Sequence, residues 1–138
     1  MDEDRFSKII VETLAKRAAN ICSNPECRAQ TAGPADVVDR SINTCEAAHI
    51  YGAKPGSARH EPEQQSINRS DIANGIWLCR NCHGMIDRDA TRYPAPLLFS
   101  WRRGHETENA TRLGKSNTKL LLDIMNVDPL FQTMSKLG

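Results

Sequence analysis

The sequence predicts an α+β domain in which two short strands and a helix stand on a four-cysteine metal site, with further helices flanking this core at both ends. Three observations carry that prediction. Four of the five cysteines fall in two close pairs, Cys22/Cys27 and Cys79/Cys82. Two short runs with strand character, TCEAAHIY and IWL, lie on either side of a long polar segment. Amphipathic stretches at helical spacing precede the first cysteine pair and follow the second.

At the N-terminus, Phe6, Ile9, Ile10, Leu14 and Ala18 recur at helical spacing, which predicts a packing helix from about residue 4 to 19. In the following ICSNPECRAQTAGP, Asn-Pro and Gly-Pro are turn formers, so the first cysteine pair sits on a tight loop. TCEAAHIY reads as a strand ending at or just past His49. Residues 52–73, rich in Gly, Pro and Ser, read as a long surface loop with a short helix near 68–72. Long loops in compact domains are often functional. Asn74-Gly75 is a turn signal, and Ile76, Trp77 and Leu78 make a second strand. A helix begins at Cys82 and runs to about Arg88. Another covers 97–112 with Leu97, Leu98 and Trp101 inward, and a short apolar helix covers 118–125. The tail leaves Leu130, Phe131 and Met134 with nothing after them to bury them. The expected organisation is a packing helix in 1–20, the core domain in 21–112, and a C-terminal helical arm in 113–138 offered to a partner or a second copy.

A chain of 138 residues suits one domain with an appended arm. Its core is modest, so a stabilising metal helps it. The net charge of +1 neither supports nor excludes nucleic acid, because a local basic face can hide in a balanced total. No apolar run approaches the roughly 18 residues of a membrane span. The opening MDEDRFSKII lacks the apolar stretch of a signal peptide. The expectation is therefore a cytoplasmic protein, in which clustered cysteines argue for metal rather than disulfides.

Four thiolates in two short knuckles match tetrahedral structural zinc. The pairs are far apart in the chain, so one ion would close the long segment between them, where a clip helps a small domain most. Cys45 is left over and reads as a small buried hydrophobe. With the cysteines assigned, His83 and Asp87 are free. At positions i and i+4 they share one helix face, where they can grip a hard divalent cation such as Mg2+ or Mn2+.

The order His49, Asn74, His83 resembles the HNH nuclease signature of the ββα-metal (His-Me finger) superfamily. The likeness spans about residues 20–90. It includes the zinc-knuckle frame, EAAHI ending the first strand, Asn74 before the second strand, and LCRNCH entering the helix. The resemblance implies metal-dependent hydrolysis of DNA phosphodiester bonds. His49 would be the general base, for which a neutral imidazole with an ordinary pKa of about 6.5 is suited. His83 would hold the catalytic ion, and Asn74 would brace the hairpin and orient His49. Asp87 falls where some members carry a further ligand. Many members also carry an Asp or His ligand directly before the base, where this chain has Ala48. The shell is then completed by Asp87, by waters and substrate phosphate, or by Glu46. Glu46 lies three positions from His49, so a regular strand points it to the opposite face.

Arg80, Arg88, Arg102 and Arg103 are candidates for nucleic-acid contact, with Arg92 and Arg112 nearby, since arginine suits bidentate phosphate binding. Trp101 and Tyr93 read as packing residues, and His60 and His105 as solvated. The run CSNPECRAQT, CEAAHI and NGIWLCRNCHGMID is also similar to HNH domains of bacterial antiphage effectors, including those fused to a cyclic-nucleotide-binding SAVED sensor. That likeness implies a stand-alone nuclease, a defence subunit with a separate sensor or activator, or a piece of a longer protein. The alternative is a zinc-knuckle module that binds DNA or protein without catalysis, or that serves only for docking.

Overall fold

Ile76, Trp77 and Leu78 leave no polar position between them, so a strand built on them must be covered on both faces. The computed structural model, which describes residues 5–61 and 68–116, covers them in that way. Its elements run α1 (Lys8–Arg17), β1 (Ala32–Pro34), β2 (Ser41–Asn43), β3 (Cys45–His49), β4 (Gly75–Cys79), α2 (Arg80–Arg88) and α3 (Ala95–Arg112). The fold is α+β, with a two-stranded antiparallel sheet at its centre. β3 pairs with β4 so that Cys45 faces Cys79 and His49 faces Gly75. Alternation along β3 divides the core. Cys45 and Ala47 join Trp77, Leu14 and Ala18 under α1. Ala48 joins Ile50, Ile76, Leu78, Ile86 and Leu98 under α2 and α3. The sheet is thus the middle layer of three.

Local chemistry moves several boundaries from their expected places. α1 starts at Lys8 rather than near residue 4, because Ser7 is extended and its Oγ accepts the Ile10 N–H at 3.2 Å. Ile9, placed on the inward stripe by spacing, is 75% exposed. After α1, Ala19 and Asn20 take φ of 54° and 55°, turning the chain into the first cysteine pair. The helix expected near 68–72 is instead a single 3-10 turn at Ile72–Asn74, capped by the Asp71 carboxylate. Asn74-Gly75 therefore ends that turn and opens β4 rather than forming a hairpin. The β1–β2 ribbon was not expected, and it leaves Val37, Val38 and Ile42 exposed. α3 begins at Ala95, two residues early, since its proline at the first turn needs no backbone donor.

His105 corrects the expectation of a solvated side chain. It is 2% exposed, and its Nε2–H faces the carbonyls of Ala18 (2.9 Å) and Ile21 (3.1 Å). These carbonyls follow the last turn of α1, where backbone acceptors lack helical partners. Arg17 donates to Glu106 at 2.6 and 2.9 Å, which further ties α3 to α1. Trp101 and Tyr93 meet edge to face and both pack against the core, as the sequence indicated. Residues 118–125 and Leu130, Phe131 and Met134 lie outside the described residues. Among the described residues, no helix is long and apolar enough to cross a membrane.

Candidate active site and metal centre

Each cysteine pair is shaped by a backbone turn. Asn24 accepts the N–H of Cys27 and Arg28 on its carbonyl and that of Glu26 on Oδ1, which folds the first pair back on itself. Cys79 ends β4 and caps α2, its Sγ accepting the Cys82 N–H at 3.4 Å. The four Sγ atoms of Cys22, Cys27, Cys79 and Cys82 lie within 4.8 Å of one another, with Cys27 and Cys79 at 3.9 Å. Tetrahedral ligation with Zn–S bonds of about 2.3 Å puts sulfurs about 3.8 Å apart, so the cluster fits one such ion. Asn24 Nδ2 donates to the Cys82 sulfur at 3.4 Å, an outer contact that steadies a thiolate. Burial pushes the Cys22 thiol up to about 11. Burial also opposes ionisation of Cys79, but the Cys82 N–H and the neighbouring thiols outweigh it and lower its pKa. Cys45 stays outside the cluster, buried, its thiol raised to about 12 by desolvation.

The second centre lies at the other end of the sheet. His49, at the last position of β3, and His83 and Asp87, one turn apart on α2, line a cleft of about 230 Å³. Asn74 is fully buried and grips the chain just after His49. Its carbonyl accepts from Ile50 N–H at 2.8 Å, its Oδ1 accepts from Tyr51 N–H at 2.8 Å, and its Nδ2 donates to Tyr51 O at 3.0 Å. Phe6 stacks on the His49 ring, centroids 4.1 Å apart and planes 13° from parallel. Gly75, opposite His49, leaves the space: a Cβ there would come within 2.6 Å of Leu14 Cδ1 and 3.3 Å of Phe6 Cζ.

His83 stands between two carboxylates, with Nδ1 2.9 Å from Glu46 Oε2 and Nε2 3.1 Å from Asp87 Oδ2. The 3.1 Å spacing makes His83 and Asp87 a hydrogen-bonded pair, and it also matches the roughly 3.0 Å between two neighbouring ligands of an octahedral ion with bonds of about 2.1 Å. The hydrogen bond to Asp87 raises the His83 pKa against the effect of burial, and Glu46 adds to it. Burial disfavours the Asp87 carboxylate, but His83 and Arg59 hold its pKa below the usual range. Arg59 was not anticipated. Only 4% of its side chain is exposed, and it donates to the carbonyls of Ile50 and Ile86 and, at 2.8 Å, to Asp87 Oδ1. Ala48 is buried in the core and offers the cleft nothing.

A family model described as HNH endonuclease matches residues 21–90, just over half of the chain. The chain belongs to the HNH endonuclease family. None of the curated proteins matches it. The HNH match takes in both cysteine pairs, His49, Asn74, His83 and Asp87, and stops short of α3. That limit agrees with a correction among the arginines. Arg102 is largely buried and donates to the carbonyls of Ile72 and Gly75 and to Glu106, which leaves it holding the loop before β4 rather than facing phosphate. Arg103 is exposed on α3 beside it and lines a hollow separate from the HNH cleft. Arg80 and Arg88 are exposed on α2, and with Arg92, Asn81 and Tyr93 they line an open groove of about 400 Å³. Phe6, Asn24, Glu46 and Arg59 all touch the HNH residues. Spacing placed Phe6 on a packing stripe, and the sequence raised Glu46 only as a candidate ligand; the contacts of Asn24 and Arg59 left no sign, because each joins segments distant in the chain.

Proposed function

We propose that this chain is a metal-dependent endonuclease that hydrolyses DNA phosphodiester bonds. The reading rests on one observation: His49, His83 and Asp87 share a single cleft in an HNH fold. His49 is the general base, its imidazole taking the proton of the attacking water. Phe6 limits the ring's rotation, and Asn74 fixes the backbone just beyond it. His83 and Asp87 hold Mg2+ or Mn2+. When bound there, that cation supplies charge stabilisation for the phosphate and the leaving oxygen. Cys22, Cys27, Cys79 and Cys82 hold a structural Zn2+ that fixes the start of α2. Arg80 and Arg88 contact the DNA backbone, with Arg92 beside them in the same groove and Arg103 further along the chain. Residues 21–112 form the nuclease unit, 1–20 its packing helix, and 113–138 an arm for a sensor subunit or a second copy. The resemblance to antiphage effectors supports a cytoplasmic defence role with a separate activator.

The test is cleavage of supercoiled plasmid by the purified chain with Mg2+, Mn2+ or EDTA, beside His49→Ala. Cutting should need the ion and fall by at least a hundredfold in the variant, the range expected on losing a general base. Cutting that survives His49→Ala removes the proposed base. Ala48 favours a second reading, since the position before His49 carries no ligand. Under that reading the chain is a zinc module that binds DNA, or a protein, without cutting, and both samples would retard DNA or a partner while leaving plasmid intact.

A further inference from the structure

Each nitrogen of His83 faces a carboxylate, but only Asp87 lines the cleft, and that difference gives a role to a residue outside the HNH signature. A neutral imidazole carries one proton, so one nitrogen donates and the other keeps a lone pair. Glu46 Oε2 can only accept, and it lies 2.9 Å from Nδ1. Nε2 points the other way, toward Asp87 Oδ2, also an acceptor, at 3.1 Å, so a cation held between them takes the place of a proton on Nε2. Asp87 Oδ1 is held at 2.8 Å by Arg59. We propose that Glu46 is a positioning residue for the cation site: by accepting a proton from Nδ1 it supports the tautomer and ring orientation in which Nε2 presents its lone pair beside Asp87. The inference rests on the reading of His83 and Asp87 as cation ligands.

Glu46 acts through His83 rather than as a ligand itself. The two ring nitrogens point outward from opposite sides of the imidazole, so a cation at Nε2 is out of reach of a carboxylate bonded to Nδ1. The carboxylate–histidine–metal arrangement is a general device that raises ligand basicity and locks ring orientation. It bears more weight here because the strand contributes no ligand of its own. Ala48 shares the α2-facing side of β3 with Glu46 but is buried and apolar. Glu46, two residues earlier on that side, steadies a ligand on α2 instead. Arg80, whose Nε lies 3.6 Å from Glu46 Oε1, stands on the same helix and flanks the carboxylate on the side away from His83 Nδ1.

The experiment uses the full zinc-loaded chain without DNA, at a pH where His83 is neutral. Long-range 1H–15N correlation reads the His83 tautomer, and titration with Mn2+ reads the dissociation constant. Wild type should show a share of the Nδ1–H form that grows as Mn2+ binds, and one Mn2+ site that His83→Ala abolishes. Glu46→Ala should shift the tautomer toward Nε2–H and weaken Mn2+ by about 10- to 100-fold with an unchanged melting temperature. Glu46→Gln keeps an accepting oxygen and should fall between the two. An unchanged tautomer and dissociation constant in Glu46→Ala would overturn the proposal. A wild type that binds Mn2+ no better than His83→Ala removes the cation site itself, a separate failure that takes this proposal with it.

Discussion

The four-cysteine cluster and the His83–Asp87 pair sit on the same helix, yet they are built in opposite ways. Cys79 and Cys82 belong to the cap and first turn of α2, and each cysteine pair is shaped by its own local turn. The thiols' nearest polar neighbours are mostly one another, with Asn24 as the added donor. His83 and Asp87, on the following turns, are instead held from outside by Glu46 and Arg59, which come from a strand and a loop. Thiolates closed around an ion shed it reluctantly, whereas a half-exposed imidazole and carboxylate in an open cleft can exchange both cation and substrate. A small domain can therefore pair a rigid anchor with an adjustable site on a single nine-residue helix.

The largest effect should come from breaking the anchor. Cys82→Ser removes a buried ligand, and metal binding at such sites contributes about 10 kcal/mol or more of folding free energy in small zinc modules. The variant should lose its bound metal, measured by elemental analysis, together with its cooperative thermal transition. A variant that keeps a sharp transition near the wild-type temperature would show that the cluster is not what holds the fold. Arg59→Ala attacks the other region. It leaves the carbonyls of Ile50 and Ile86 without their donor and frees Asp87, and unpaired buried groups cost about 1–3 kcal/mol each. Urea denaturation should show a loss of about 3 kcal/mol with bound metal retained. Loss of metal in Arg59→Ala would mean the two regions are coupled rather than separable.

How much the sequence revealed follows the same division. Cys22, Cys27, Cys79 and Cys82 were legible because short spacing and Asn-Pro are local properties. The strands Cys45–His49 and Gly75–Cys79 and the helix after them were legible because alternation and periodicity are local too. Arg59 was not, since a lone arginine in a Gly- and Ser-rich loop carries no sign that its guanidinium will be buried. Arg102 misled for the same reason: its charge suggested phosphate, but its partners are carbonyls 27 and 30 residues away. The β1–β2 ribbon escaped because three-residue strands fall below any periodicity. Glu46 was read on the correct strand face, yet its contact with His83 depends on how α2 lies across that face.

The smallest effect expected lies in neither region and separates their acid responses from that of the scaffold. His105 joins α3 to the end of α1 through Nε2–H, and its Nδ1 is buried with no hydrogen-bond partner among the described residues. Burial lowers its pKa from the ordinary value, the Arg28 charge adding to this against the pull of the Ala18 carbonyl. The neutral ring is thus the form the fold prefers. Between the depressed folded value and the unfolded value of about 6.5, the unfolded chain binds more protons, so stability rises with pH through that window. The contribution is fully present above about pH 6.5 and is lost as the pH falls below it. His105→Gln keeps a donor for the Ala18 carbonyl but does not titrate. Urea midpoints of the two proteins, compared across that window, should converge on acidification, with the variant's profile the flatter. Thiolate protonation acts on both proteins alike and cancels in the difference. Parallel profiles would show that the buried ring accepts a proton without penalty, and the acid limb would then belong to the cysteine cluster and to the paired carboxylates Asp87 and Glu106.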